Sequence, residues 1–102
     1  MAVTPASEAE DAWVLYWLAC ERGRTYVGIT NDLVRRFAQH QAGQGGRFTR
    51  AFRPLEILAA EPFPDRSSAT RAELQLKARS LAGKREWARA WTYRESGEQL
   101  GE

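Results

Sequence analysis

The fold is decided by residues 13–30, which read WVLYWLACERGRTYVGIT. The first eight residues are apolar, with several aromatic or β-branched side chains. The run is too short for a typical helix, so it predicts a buried β-strand. Residues 21–23 then give a turn signal, and residues 24–29 resume the strand character. This pattern predicts a hairpin with a three-residue loop, in which Gly23 takes the position that needs a positive φ angle.

The register of this hairpin brings two tyrosines together. If residues 21–23 form the turn, residues whose numbers add up to 44 face each other, so Tyr26 faces Leu18 and Tyr16 faces Gly28. Both phenols then lie on one face of the sheet as diagonal neighbours, roughly 7–8 Å apart. A bulge would change this parity, and a tyrosine taken alone is more often a core aromatic with a satisfied hydroxyl group.

The remaining pattern predicts one more strand and three helices. A first helix begins at Asn31 as its N-cap and ends at Gly43, and a flexible, glycine-rich basic loop follows up to residue 50. The later elements are a strand over 55–61, a helix from Asp65 or Ser67 to about Leu81, a break at Gly83 and a short helix over 84–91. The order β-β-α-β-α-α predicts an α+β fold with a small three-stranded sheet, mixed or antiparallel, flanked by helices.

Length and composition indicate one domain. The chain has 102 residues, 43% of them hydrophobic, and we place the domain at 12–92, after a loose lead-in (1–11) and before a polar acidic tail (93–102). A single cysteine and a single histidine exclude a disulfide framework and argue against zinc. The longest apolar run falls far short of the roughly 18 residues of a membrane span, and the N-terminus does not resemble a secretory signal. We therefore expect a cytoplasmic protein with no membrane partner; the oligomeric state stays open.

The net charge of +2 conceals a basic segment. Residues 22–53 contain seven arginines, no lysine and one acid, Asp32. Because the guanidinium fork matches phosphate oxygens, such a block points to nucleic acid, although a solvated basic face is the alternative. Four arginines and a threonine are the candidate nucleic-acid contacts outside the catalytic set: Arg35, Arg47, Arg50, Arg53 and Thr49. Arginines read phosphate geometry and not base identity, so these residues leave DNA and RNA open.

Three further polar residues are candidates for chemistry. Arg36 and His40 are four residues apart on the first helix and share one face, although Arg36 could instead pair with Asp32 and leave His40 solvated. Glu73 lies beside the apolar stripe of the second helix. It could pair with Lys77, or ligate one Mg²⁺ ion, which prefers oxygen ligands and keeps most of its waters.

Taken together, these residues resemble the GIY-YIG nuclease superfamily, and the likeness covers residues 13–91. The matching features, in chain order, are Val14-Leu15-Tyr16, Tyr26-Val27-Gly28, Thr30, Arg36, His40, the loop residues Gly43, Gly45 and Thr49, and Glu73. The nearest likeness is to the small stand-alone bacterial branch, which is similar to the nuclease domain of structure-selective junction endonucleases. In this comparison the glycines and Thr30 are structural positions.

The resemblance implies an endonuclease that uses one Mg²⁺ or Mn²⁺ ion to hydrolyse phosphodiester bonds in DNA, with branched or single-stranded DNA as candidate substrates. By the same resemblance, Tyr16 helps to deprotonate the attacking water and Tyr26 positions water or phosphate. Arg36 contacts the scissile phosphate. His40 assists proton transfer, and Glu73 binds the metal.

The activation of water has two possible routes. A phenol with the ordinary pKa of about 10 is roughly 0.1% ionised at pH 7, and nearby cations would lower its pKa and raise that fraction. Alternatively His40, whose ordinary pKa is near 6.5, accepts a proton relayed through Tyr16.

The sequence also departs from the family pattern. The first motif lacks the leading glycine and isoleucine, and the only asparagine is Asn31, so an active-site asparagine found late in the domain of larger members has no counterpart. The missing asparagine suits a second interpretation, a weak or inactive nucleic-acid-binding module on the same scaffold. A third is a basic protein-interaction domain with Trp87 and Trp91 on its surface, although packing onto the sheet also accounts for both side chains.

Overall fold

The described part of the chain alternates between a central sheet and its covering helices. The computed structural model describes residues 12–93, so the lead-in 1–11 and the tail from residue 94 onward lie outside the described residues. The elements in chain order are β1 (Trp13–Cys20), β2 (Thr25–Thr30), α1 (Leu33–Gln41), α2 (Arg47–Ala51), β3 (Pro54–Phe63), α3 (Arg66–Lys77) and α4 (Leu81–Ala90). The strands are antiparallel in the order β2-β1-β3, which confirms the α+β fold with a three-stranded sheet.

The hairpin of β1 and β2 forms in the register that the sequence predicts. Tyr16 pairs with Gly28, and Leu18 pairs with Tyr26. A 3-10 turn over residues 21–23 joins the strands, and Gly23 takes a φ of 73° there, as expected. The tyrosines therefore project from the same face of the sheet.

The two faces of the sheet carry separate hydrophobic clusters. On one face Tyr16, Leu18 and Cys20 are packed against partly buried aromatic residues of and near α1 and α2, including Phe37 and Phe52. On the other face a second cluster joins the sheet to α3 and α4, and it contains Leu15, Trp17, Val27, Leu76 and Trp87. Alternation of side chains along each strand produces this division, because successive residues point to opposite faces.

Several helix limits differ from the prediction for identifiable reasons. Asp32, not Asn31, is the N-cap of α1, because its carboxylate accepts a hydrogen bond from the Arg35 backbone N–H. The loop after Gly43 is not wholly flexible, since residues 47–51 form α2 with Gly46 as its N-cap. A loop rich in glycine gives little periodicity from which a five-residue helix could be recognised.

The C-terminal half shows similar shifts. Strand β3 extends through Pro62 to Phe63, and α3 ends at Lys77. Gly83 does not separate two helices: it lies in the first turn of α4, where its N–H donates to the hydroxyl of the N-cap Ser80. Among residues 12–93, no helix is long and apolar enough to cross a membrane.

We predict that Gly28→Ala destabilises the protein by about 1–3 kcal/mol, because overpacking forces side chains out of their rotamers. A Cβ atom at this position would lie 2.5 Å from the Tyr16 hydroxyl oxygen and 3.0 Å from Cε2 of Tyr26. The free energy of unfolding in urea measures the effect. Gly23→Asn is the control, since no atom lies within 4 Å of a Cβ there and asparagine tolerates a positive φ. Equal stability of Gly28→Ala and the wild type would contradict this packing.

Candidate active site

Two phenol rings form the floor of the site. The ring centroids of Tyr16 and Tyr26 are 6.3 Å apart, which confirms that both side chains lie on one face of the sheet. Tyr16 is 1% exposed, whereas Tyr26 is only partly buried. The close approach of the two rings depends on Gly28, which leaves room for them between the strands.

A continuous hydrogen-bonded chain runs from the floor into α2. The Tyr16 hydroxyl oxygen lies 2.9 Å from Nε2 of His40, and Nδ1 of the same imidazole lies 2.7 Å from Oγ1 of Thr49. All three side chains are buried, with His40 at 0% exposure. Both imidazole nitrogens therefore have partners, as a buried polar ring requires. The alternative of a solvated His40 is wrong.

The glycine-rich loop closes over this imidazole and is held there by Arg36. A Cβ atom at Gly45 would collide with the His40 ring, so only glycine lets the loop backbone pass so closely. Arg36 donates from Nη2 to the Gly45 carbonyl oxygen at 2.9 Å and from Nη1 to Oε1 of Gln39 at 3.1 Å. The alternative pairing of Arg36 with Asp32 is not observed, because Asp32 caps α1 instead.

Glu73 approaches from the other layer of the molecule. It lies on α3, which packs beside β1 and the edge strand β2. The Glu73 side chain is 18% exposed, and its carboxylate pairs with Nζ of Lys77 at 3.2 Å, the i,i+4 contact considered from the sequence. Its negative charge is the smallest of the causes that raise the pKa of Tyr16.

Burial sets the protonation states of the central pair. Burial is the largest cause that raises the pKa of Tyr16 to about 12; Tyr26 and Glu73 also raise it, and the Arg36 guanidinium only partly opposes them. Burial, followed by the charge of Arg36, lowers the pKa of His40 to about 4. The site therefore holds a neutral phenol and a neutral imidazole at pH 7. The charge of Arg36 does lower the Tyr16 pKa, but desolvation outweighs it in the protein without a bound metal.

The candidate nucleic-acid contacts fall into two groups. Arg35, Arg47 and Arg50 are exposed, and so is Arg53, although its Nη1 donates to the Gln41 carbonyl oxygen at 3.1 Å. Thr49 differs from the expectation. At 1% exposure, with its hydroxyl bonded to His40, it is a support for the imidazole and is not accessible to nucleic acid.

Two of the loop and turn positions have structural contacts. Gly43 has a φ of 81° and packs against the Arg53 guanidinium. The Thr30 hydroxyl accepts from the Asp32 N–H at 3.1 Å, which fixes the turn between β2 and α1.

The sequence analysis did not single out two residues, Trp13 and Arg66, that lie near Arg36. Trp13 and Arg66 line a cavity of about 350 Å³, together with Arg35 and Arg36. Arg66 lies outside the arginine-rich segment, so the charge pattern gave no reason to single it out. Its position seven residues before Glu73 was a usable signal, because residues two helical turns apart share a face.

The burial of His40 predicts a specific pH dependence of stability. Between pH 6.5 and pH 4 the unfolded chain binds a proton on His40 that the folded protein does not, so the free energy of unfolding falls as the pH is lowered. From pH 7 to pH 5 we expect His40 to account for a loss of about 2 kcal/mol. Urea unfolding at the two pH values measures the loss.

His40→Gln is the matched variant for this experiment, since it removes the titrating group and keeps a side chain that can form hydrogen bonds. We expect its stability to change less between pH 7 and pH 5 than that of the wild type. Parallel pH profiles for the two proteins would show that His40 is not held neutral by the fold.

Comparisons with known proteins match most of the described chain. The family model described as the GIY-YIG catalytic domain matches residues 12–86. A UPF0213 protein of Xanthomonas campestris pv. campestris (strain 8004) is 51% identical over 83 residues, which is 81% of each chain. A UPF0213 protein of Cupriavidus pinatubonensis is 51% identical over 75 residues, covering 74% of this chain and 83% of its own. The designation UPF0213 names no activity.

A solved structure shows the same likeness. The solution NMR structure of a UPF0213 protein from Bacillus halodurans aligns with a TM-score of 0.50 at 32% sequence identity, covering 78% of this chain and 84% of the other. The family model spans most of the described residues. The similar sequences and the similar solved structure all carry the designation UPF0213. The chain therefore belongs to the GIY-YIG nuclease family, within its small bacterial UPF0213 group.

Proposed function

We propose that this protein is a metal-dependent endonuclease that hydrolyses phosphodiester bonds in DNA, with branched and single-stranded DNA as the first substrates to test. The observation that carries the proposal is the hydrogen bond of 2.9 Å between Tyr16 and the buried His40. A buried phenol–imidazole pair next to an arginine and a carboxylate supplies groups for proton transfer and for stabilising charge on a phosphate.

Tyr16 acts as a proton relay and not as a pre-formed phenolate. With a pKa of about 12 it is protonated at pH 7, so it can take a proton from the attacking water only while giving its own proton away. Nε2 of His40 is the acceptor at 2.9 Å, and it is free to accept because the imidazole is neutral at pH 7. The resulting hydroxide attacks phosphorus as the bond to the 3′ oxygen breaks; the 3′ oxygen leaves with the bonding electrons and takes a proton from water, and His40 returns its proton to solvent.

Thr49 fixes the imidazole for this role. If Nδ1 carries the hydrogen and donates it to Oγ1 of Thr49, Nε2 presents its lone pair to the Tyr16 hydroxyl. A bound phosphodiester anion then favours the protonated imidazole, because a nearby negative charge raises the pKa of histidine. Binding of the substrate thus makes His40 a better base than it is in the free protein.

Arg36 and Tyr26 face the phosphate. The guanidinium is held against the Gly45 carbonyl group and Gln39, so its position is set before the substrate arrives, and its charge stabilises the oxygens of the phosphorane-like transition state. The Tyr26 ring meets the His40 ring edge-on, with the centroids 5.2 Å apart, and its partly exposed side chain orients water or phosphate.

Glu73 fits a single hard cation. Its carboxylate is partly exposed, and its contact with Lys77 shows that a positive charge can approach it. Within residues 12–93, no three side chains of His, Cys, Asp or Glu form a cluster that could hold a metal ion. A single carboxylate suits Mg²⁺ or Mn²⁺, whose other ligands are waters and substrate oxygens. Glu73 would hold the ion, which when bound would supply positive charge to offset the negative charge that develops during phosphodiester hydrolysis.

We expect cleavage of labelled DNA in the presence of Mg²⁺ or Mn²⁺, and none after EDTA is added. Branched, flapped, single-stranded and duplex DNA are compared in parallel. Glu73→Gln should reduce cleavage to the level of the metal-free protein, because the neutral amide no longer attracts a divalent cation. The variant should keep nearly the unfolding midpoint of the wild type, since glutamine has the same shape and the lost ion pair is to the half-exposed Lys77.

Glu86→Gln is the matched control, because Glu86 is a largely exposed carboxylate that also forms an ion pair with a neighbour on its helix, Arg89 at 3.4 Å. It should cleave DNA as the wild type does. Cleavage by Glu73→Gln at the wild-type rate with metal present would contradict the proposed role of Glu73. Binding of DNA by the wild type without cleavage of any substrate would identify a nucleic-acid-binding module instead of an enzyme.

A further inference from the structure

The basic cavity lined by Trp13 and Arg66 adjoins the site and shares only Arg36 with the proposed catalytic residues. It has a volume of about 350 Å³, within the range of cavities that hold small ligands, and lies between the start of α1 and the start of α3. Neither tyrosine of the site, nor His40 or Glu73, lines it. A group bound here would therefore lie next to the scissile phosphate and not in its place.

The cavity is built for an anion. Arg35, Arg36 and Arg66 line it against one acid, Asp32, which leaves an excess of two positive charges. The Asp32 carboxylate is already engaged by the Arg35 N–H at 3.2 Å. Among residues 12–93, neither Arg35 nor Arg66 forms an ion pair, so both guanidinium groups are available to a ligand.

Arg66 is positioned before any ligand binds. Its guanidinium carbon lies 5.3 Å from the centroid of the Trp13 ring, a cation–π contact that restricts an otherwise flexible side chain. Asn31 and Gln39 also line the cavity and offer amide groups for hydrogen bonds to a sugar or base. Planar guanidinium groups bind oxyanions such as phosphate through two parallel hydrogen bonds, which favours them over a simple halide.

The positions of Arg66 and Glu73 on α3 separate this cavity from the proposed metal ligand. Arg66 precedes Glu73 by seven residues, which is about 10 Å along a helix axis. Arg36 lies at the boundary, since it lines the cavity and also interacts with Tyr16. The cavity and the proposed catalytic residues thus lie side by side, with Arg36 between them.

We propose that Arg35 and Arg66 form a second phosphate site, which binds the phosphodiester group next to the one that is cleaved. This inference rests on the proposed function and adds a substrate requirement to it: recognition needs at least two consecutive phosphates on one strand. A single nucleotide with one phosphate should then be a poor ligand, whatever its base.

Deoxythymidine 3′,5′-bisphosphate and thymidine 5′-monophosphate test the proposal, because they differ by one phosphate at the spacing found in a strand. Their affinities are measured by NMR titration or calorimetry on the full chain carrying Glu73→Gln, without metal, so that neither catalysis nor a bound ion affects the result. We expect the bisphosphate to bind at least about tenfold more tightly, a difference of roughly 1.4 kcal/mol.

Arg66→Ala in the same background should remove most of that difference and leave the affinity for the monophosphate unchanged. Arg71→Ala is the matched control: it is an exposed arginine on the same helix, its Nη1 donates to the Ser67 hydroxyl at 2.9 Å, and it does not line the cavity. Arg71→Ala should leave both affinities unchanged.

Two outcomes would overturn the second phosphate site: equal affinities for the two compounds, or a preference for the bisphosphate that Arg66→Ala does not alter. The results of these experiments distinguish a failure of the second phosphate site from a failure of the proposed nuclease function. Metal-dependent cleavage of DNA together with equal affinities would remove only the second site. A bisphosphate preference that depends on Arg66, in a protein that cleaves no DNA, would keep the site in a binding module.

Discussion

The arrangement depends on one buried polar chain, in which the Tyr16 hydroxyl, the His40 imidazole and the Thr49 hydroxyl follow one another at hydrogen-bond distance. A buried polar group without a partner costs on the order of 1–3 kcal/mol, so the three elements that carry these residues must meet in one geometry. Strand β1, helix α1 and helix α2 are thereby fixed relative to one another. Gly28 and Gly45 make the approach possible, because a side chain at either position would collide with the tyrosine or the imidazole.

The same burial determines what the pair can do. A solvated tyrosine and histidine would titrate near their ordinary values, whereas here the pKa of Tyr16 is raised to about 12 and that of His40 is lowered to about 4. Both groups are neutral over the physiological range, and protonation of the imidazole becomes more favourable when a negative charge enters the site. A phosphodiester anion is such a charge. This dependence links the fold of the core to the proposed reaction, in which the Tyr16–His40 pair lies below the surface and Arg36 and Glu73 would contact the substrate and its metal ion.

The sequence predicts the hairpin and its register because a short turn and alternating side chains leave few ways to pair two strands. The shared face of Tyr16 and Tyr26 follows from that register alone.

The burial of His40 could not be predicted in the same way, since it depends on a loop that folds back over α1 from residues farther along the chain. Helix α2 itself is too short to leave a periodic pattern. Asp32 and Asn31 are both good caps, so the choice between them was made by local geometry. Arg66 was missed for a different reason: its neighbour Trp13 lies more than fifty positions earlier, and only the packing of α3 beside the sheet brings the two together.

Replacement of Tyr16 by phenylalanine tests the central claim most directly, because it deletes the hydroxyl group and keeps the ring that packs against Tyr26. The measurement is the rate of DNA cleavage with Mg²⁺, taken alongside DNA affinity and the unfolding midpoint for the same samples. If the phenol relays the proton to His40, Tyr16→Phe should cleave at least about 100-fold more slowly, which is the lower end of the contribution of general acid–base catalysis, while still folding and binding DNA. Cleavage at the wild-type rate by a folded Tyr16→Phe protein would contradict the account.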